Sequence, residues 1–312
     1  MRCAWLAVPV LLLAGIHPCL HALLAKRFPV APGAVLVTGA SSGIGLHAAV
    51  ALSSEVLVFA GVRSARDADR LKQSYPMLQP VVLDVTNTEQ IRTARDEIAA
   101  MLDAKGLKLV GLVNNAGVSR HLIFEYEKLE EVMALYDVNV FGVYRVTQAF
   151  LPLLRASGAG RVVNVGSVAP TLPTSGYTSY AGSKNALESI SDVLRLELAR
   201  YNMSVSLLKP GMVHSALHGK ISGGNAAWRR AEDVEGFRAE WGDWADRFED
   251  QRRDREAKAD GAEVTTEAIR HALRSEYPQT RYVVANVHGV PCQVLAWLMW
   301  LLPDRARDIV LS

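Results

Sequence analysis

A short apolar strand that runs straight into a glycine-rich turn and then a helix restricts the fold of this 312-residue sequence more than any other feature. Ala34 to Thr38 reads as the strand, T-G-A-S-S-G-I-G follows over residues 38–45, and residues 46–53 read as the helix. That order brings bare backbone at a helix amino terminus against a phosphate. Gly39, Gly43 and Gly45 keep side chains from holding the phosphate away, and Ser41, Ser42 and Ile44 complete the turn. A plain tight turn is the bland alternative. Further short apolar runs at 56–60, 80–85, 108–113, 161–166, 204–208 and 281–285 alternate with helical stretches. The alternation predicts an α/β fold: one doubly wound parallel sheet of about seven strands with helices on both faces.

Residues 167–184 read S-V-A-P-T-L-P-T-S-G-Y-T-S-Y-A-G-S-K. Tyr180 and Lys184 are four apart, so on a helix they share a face and the ammonium can act on the phenol. Ser167 follows the run at 161–166, which places its hydroxyl at the carboxyl end of a buried strand. A free tyrosine has a pKa near ~10, and lowering it by about three units takes roughly 4 kcal/mol, within reach of a desolvated ammonium. The expectation is that Lys184 lowers the Tyr180 pKa so that the phenol exchanges a proton near neutral pH. An ordinary amphipathic helix start is the alternative.

A net charge of +2 gives no sign of a nucleic-acid binder. Cys3, Cys19 and Cys292 are the three cysteines, and their spacing supports neither a disulfide framework nor a metal site. From Cys3 to Ala25 there is no Asp, Glu, Lys or Arg, and 23 such residues are long enough to span a bilayer, although Pro9, His17, Pro18 and His21 weaken the run. An uncleaved membrane anchor, a removed signal peptide and a hydrophobic arm are the three readings. The anchor is favoured, with the endoplasmic reticulum or another endomembrane as the expected location. The balanced flanking charges leave the orientation open.

T-G-x-x-x-G-x-G at 38–45, N-N-A-G at 114–117, Asn139, Ser167 and Tyr180-x-x-x-Lys184 together resemble the short-chain dehydrogenase/reductase family in order and spacing. The likeness runs from about Pro32 to the carboxyl end, and R-Y-V-V followed by an apolar helix and L-P-D-R is similar to the retinol and 17-beta-hydroxysteroid dehydrogenase branch. The resemblance implies hydride transfer between an alcohol and a dinucleotide. Ser167 would hydrogen-bond the reacting oxygen, Tyr180 would transfer its proton, and Lys184 would orient the ribose. Asn139 would bend its helix and hold a water that links the lysine to solvent. Asn115, Ala116 and Gly117 would pass beside the adenosine ribose, Asp84 and Val85 would meet adenine, and Pro210, Gly211, Val213 and Ser215 would border the nicotinamide.

No acidic residue follows the run at 56–60, where one would bind the ribose and repel a 2'-phosphate. The chain reads F-A-G-V-R-S there, so Arg63 favours NADP(H), with NAD(H) as the alternative. Trp241, Trp244 and Phe248 fall at helical spacing, either as core packing or against an apolar substrate. Three segments are expected: 1–31 for the membrane, 32–289 for dinucleotide binding and catalysis, and 290–312 as an apolar helix and tail suited to a membrane interface or a dimer partner. The expected function is an NADP(H)-dependent oxidoreductase for an apolar alcohol or carbonyl, acting as a homodimer. A soluble or secreted NAD-dependent dehydrogenase of small alcohols and a catalytically silent dinucleotide-binding module are the competing readings.

Overall fold

The computed structural model describes residues 25–214, 234–287 and 289–311. Seven parallel strands form one sheet: β1 (Ala34–Thr38), β2 (Leu57–Val62), β3 (Gln79–Val82), β4 (Leu109–Asn114), β5 (Arg161–Val165), β6 (Ser204–Pro210) and β7 (Arg281–Val284). Their spatial order is β3-β2-β1-β4-β5-β6-β7. The helices are α1 (Gly43–Leu52), α2 (Ala65–Ser74), α3 (Thr88–Lys105), α4 (Leu129–Tyr136), α5 (Gly142–Ala156), α6 (Thr178–Leu198), α7 (Val234–Ala257), α8 (Glu263–Arg274), α9 (Cys292–Leu301) and α10 (Asp304–Leu311).

Alternation along a strand sends successive side chains to opposite faces. In β1, Val35 and Val37 pack with Val58, Ile269 and Leu273, whereas Ala34 and Leu36 pack with Phe59, Ile91, Ile98 and Phe150. Both faces are therefore covered, which is why the strands are apolar throughout. After β3 the chain returns to β4 on the far side of β1, so a crevice opens between the carboxyl ends of β1 and β4.

Asn139, expected to bend its helix, lies at an irregular turn within the helical stretch. Asp137–Phe141 form a π-helical turn between α4 and α5. There Asn139 Oδ1 accepts from Val118 N at 2.9 Å, while its Nδ2 donates to Val118 O at 2.9 Å and Ser183 Oγ at 3.0 Å. The last strand also ends one residue sooner than expected, because Ala285 takes φ 68 and cannot continue it. The anticipated carboxyl tail is helical, as α10.

At the amino ends of the strands, Arg161 is 2% exposed. Its guanidinium donates to the carbonyls of Ala272 (3.0 Å), Ser275 (2.6 Å), Phe28 (3.2 Å) and Pro29 (3.0 Å). One side chain thereby closes the carboxyl end of α8 and ties the approach to β1 beneath β5. Most of the apolar run proposed for a membrane, residues 1–24, lies outside the described residues. Among the described residues no helix is long and apolar enough to cross a membrane. Replacing Arg161 with Leu leaves four carbonyls without their donor, and urea unfolding is expected to register a loss of about 3 to 5 kcal/mol. A loss under ~1 kcal/mol would mean that water takes over the guanidinium's part.

Candidate active site

The loops that carry the expected site residues leave the carboxyl ends of six neighbouring strands, so parallel pairing gathers them on one rim. Gly39, at φ 64, lies where a Cβ would be 2.7 Å from Ala116 Cα. A Cβ on Gly45 would lie 2.3 Å from Asn115 Nδ2. The glycine turn and the Asn115–Gly117 segment are thus pressed together, and hydrogen bonds lock them. Thr38 Oγ1 accepts from Asn115 N (3.0 Å) and Ala116 N (3.1 Å), and Asn115 Nδ2 donates to Thr38 O at 2.9 Å.

Ser42 stands in extended conformation at the start of α1, with no side-chain cap bond and no acidic residue in the first turn. By contrast, Ser64 caps α2 and Asn87 caps α3. The first N–H groups of α1 face outward at the crevice, as a phosphate requires. Arg63 is exposed just beyond β2. Sequence reasoning missed Arg70, whose guanidinium donates to Ser41 O at 2.8 Å and pairs with Asp67 at 3.0 Å. A second basic residue in the helix after β2 was the available signal. These backbone donors, two cations and the lack of an acidic residue in the first turn of α1 fit a phosphorylated dinucleotide.

Further along the rim, Asp84 Oδ1 accepts from Thr86 N (2.9 Å) and Thr86 Oγ1 (2.7 Å). Val85 is buried against Gly142, where a Cβ would sit 2.8 Å from its Cγ2. Past β6, Gly211 N donates to Val284 O (2.9 Å) and Met212 N to Asn286 O (3.0 Å), and Val213 is buried. Pro210 ends β6, and Ser215 lies outside the described residues.

Ser167, 8% exposed, stands two residues past β5; its Oγ accepts from Ala169 N at 3.1 Å, and its side chain acts on the Tyr180 phenol to favour the phenolate. Lys184 is 5% exposed and its Nζ donates to Val165 O at 2.9 Å, with the Tyr180 ring centroid 5.9 Å away. Where a Cβ on Gly117 would sit, Asn139 Oδ1 lies 3.4 Å away and Lys184 Nζ 3.5 Å, so the missing side chain leaves a gap that both groups border. The residues expected from the sequence for proton transfer are brought together.

Burial governs their electrostatics in the protein alone. Burial pushes the Tyr180 phenol up to about 12, opposed by the hydrogen bond from Ser167, and burial pushes the Lys184 ammonium down to about 8. Lys184, together with a positively charged nicotinamide, was expected to lower the phenol's pKa; in the protein alone, desolvation of the hydroxyl raises it. Tyr180 is half-buried as a residue, with its hydroxyl at the desolvated end. The arrangement holds a neutral phenol, a serine hydroxyl and a desolvated amine around one small space.

Aromatic rings border that space. Trp244 and Phe248 of α7 stack with centroids 5.0 Å apart, and Phe237 and Trp241 pack on Leu122 and Ile123. His121, another residue the sequence reading missed, lies between Tyr177 and Phe248. Only the fold brings the segment after β4 to α7, so no local pattern marked it.

A sequence profile described as short chain dehydrogenase matches residues 33–225. The chain is 32% identical to a 17-beta-hydroxysteroid dehydrogenase type 6 of Bos taurus, over 89% of this chain and 87% of that protein. It is 33% identical to an NADPH-dependent 3-dehydrocapnine reductase of Ornithobacterium rhinotracheale, over 88% of this chain and 94% of that one. Among solved structures, a short chain dehydrogenase of Burkholderia cenocepacia in complex with NADP shares the fold, with TM-score 0.65 and 23% identity over 90% of this chain and 97% of that one. The order of strand, glycine turn, serine and tyrosine-lysine helix, together with these matches, makes the chain a member of the short-chain dehydrogenase family.

Proposed function

We propose that this oxidoreductase reduces an apolar carbonyl compound, or oxidises the matching alcohol, with NADP(H). The observation that carries the reading is the meeting of Ser167, Tyr180 and Lys184 at the carboxyl end of β5, beside the crevice at β1 and β4. The dinucleotide supplies or accepts the hydride when bound. Ser167 holds the reacting oxygen and Tyr180 gives it a proton, and a phenol that stays neutral at pH 7 suits donation to an oxygen gaining negative charge. Lys184 orients the ribose and, with Asn139 across the gap at Gly117, relays a proton from solvent to replace the one Tyr180 gives up, the flow reversing when the alcohol is oxidised. Gly39, Ser41, Ser42, Gly43, Ile44 and Gly45 cradle the phosphates, Asp84 and Val85 border adenine, and Asn115, Ala116 and Gly117 border the ribose. Pro210, Gly211, Val213 and Ser215 border the nicotinamide.

The aromatic cluster of α7 supports an apolar substrate such as a retinoid, steroid or lipid, and the relatives named for hydroxysteroids support the same class. The uncharged run from Cys3 to Ala25 supports attachment to an endomembrane. Exposed Leu129, Met133, Phe141, Val193 and Leu196 support a homodimer.

Tyr180→Phe is expected to abolish turnover in a screen of apolar ketones while NADPH affinity stays within a few fold, because the phenol serves proton transfer. Retained activity above a few per cent would take that role from Tyr180. Arg63→Leu is expected to weaken NADPH binding by roughly 1.5 to 3 kcal/mol and to spare NADH. Equal losses for both would show that this guanidinium does not read the 2'-phosphate.

Lys184 provides a pH signature. Its folded pKa of about 8 lies below the ordinary 10.5, so below pH 8 the fold carries the full cost of a buried ammonium. As pH rises from 8 to 10.5 the folded protein loses that proton before the unfolded chain does, and wild type gains stability. The stability difference between Lys184→Met and wild type is therefore expected to shift in wild type's favour by about 3 kcal/mol across this window. Melting curves at several pH values check it, and a flat difference would remove the buried ammonium from the account.

A further inference from the structure

The proton chemistry makes no use of His121, yet its ring lies close to those of Tyr177, Tyr180 and Phe248. It is buried on the segment after β4, with Nε2 2.9 Å from Ser119 Oγ. Its ring overlies Tyr177 with centroids 4.1 Å apart, and it meets the Tyr180 ring at 6.4 Å and 83°. Phe248 closes the next side, 5.4 Å from His121 and 6.0 Å from Tyr177. Trp244 backs Phe248, stacked at 5.0 Å and 29°. Gly176 lets Trp244 in, for a Cβ there would lie 2.5 Å from the indole. Three separate pieces of chain thus fix the orientation of these rings: the segment after β4, the start of α6, and α7.

Rings held this way present flat faces and electropositive edges and lose little freedom when a ligand arrives. A flat unsaturated or fused-ring compound meets such a wall over its whole face. An open alkyl chain must freeze its rotors to do the same. We infer that His121 is a specificity-determining residue whose ring, with Phe248, selects flat ring-bearing carbonyl compounds over flexible alkyl ones at Tyr180. This rests on the oxidoreductase reading and narrows its substrate class.

The test compares tetralone with decanone, two carbon-matched ketones, by calorimetric binding to the full chain saturated with NADP and by turnover with NADPH. The wild type is expected to bind tetralone about tenfold or more tighter than decanone, and His121→Leu to bring the ratio to within about twofold of unity. His121→Phe, which restores a ring, is expected to keep the ratio. Phe248→Leu gives an independent reading from α7 should His121→Leu fail to fold, and is expected to lower the ratio likewise. A ratio unchanged in the leucine variants, equal losses for both ketones, or no ketone binding by the wild type overturns the inference. Reduction of neither ketone with the binding ratio intact supports the wall and counts against the oxidoreductase reading alone.

Discussion

The hydrogen bond from the Lys184 ammonium to the Val165 carbonyl holds the centre of this protein together. It joins α6 to β5, the strand that leads into Ser167, and it does so with a charge removed from water. A desolvated ammonium is costly unless its donors are used. The carbonyl, the space beside Gly117 and the Asn139 amide all converge on it. From that fixed point the helix sets Tyr180 one turn back, where Ser167 acts on its phenol. The π turn at 137–141 holds Asn139 where its amide meets Val118 and Ser183.

What the sequence revealed and what it hid divide along a physical line. The strand at 34–38, the glycine turn and the tyrosine-lysine spacing are local patterns, and each stands where the pattern put it. Arg70 and His121 escaped because each acts through a partner distant in the chain: Ser41 for one, Tyr177 and Phe248 for the other. The direction of the Tyr180 pKa escaped for a related reason. Proximity of a cation is legible from i,i+4 spacing, but the desolvation of the hydroxyl depends on packing that only the tertiary fold supplies. Ala285 is a third case, because nothing in an apolar run announces a residue with positive φ.

The tie between Thr38 and Asn115 shows how little of the crevice is left to chance. Neither residue needs to touch a ligand to matter, since the threonine hydroxyl gathers two amides and the asparagine amide returns to the threonine carbonyl. The strand ends at β1 and β4 become one rigid lip, and the glycines are small because backbone already fills the space beside them.

Arg161 begins β5 and Ser167 stands two residues past its other end, with roughly 13 Å of extended strand between Arg161 and Val165. One end is sealed by a guanidinium that gathers carbonyls from the approach to β1 and from α8, and the other opens into the chemistry. The sheet therefore behaves like a tool with a handle and a working edge. Loops at the working edge can lengthen, shorten or change their rings while the handle keeps its grip, so a new substrate can be adopted without renegotiating the fold.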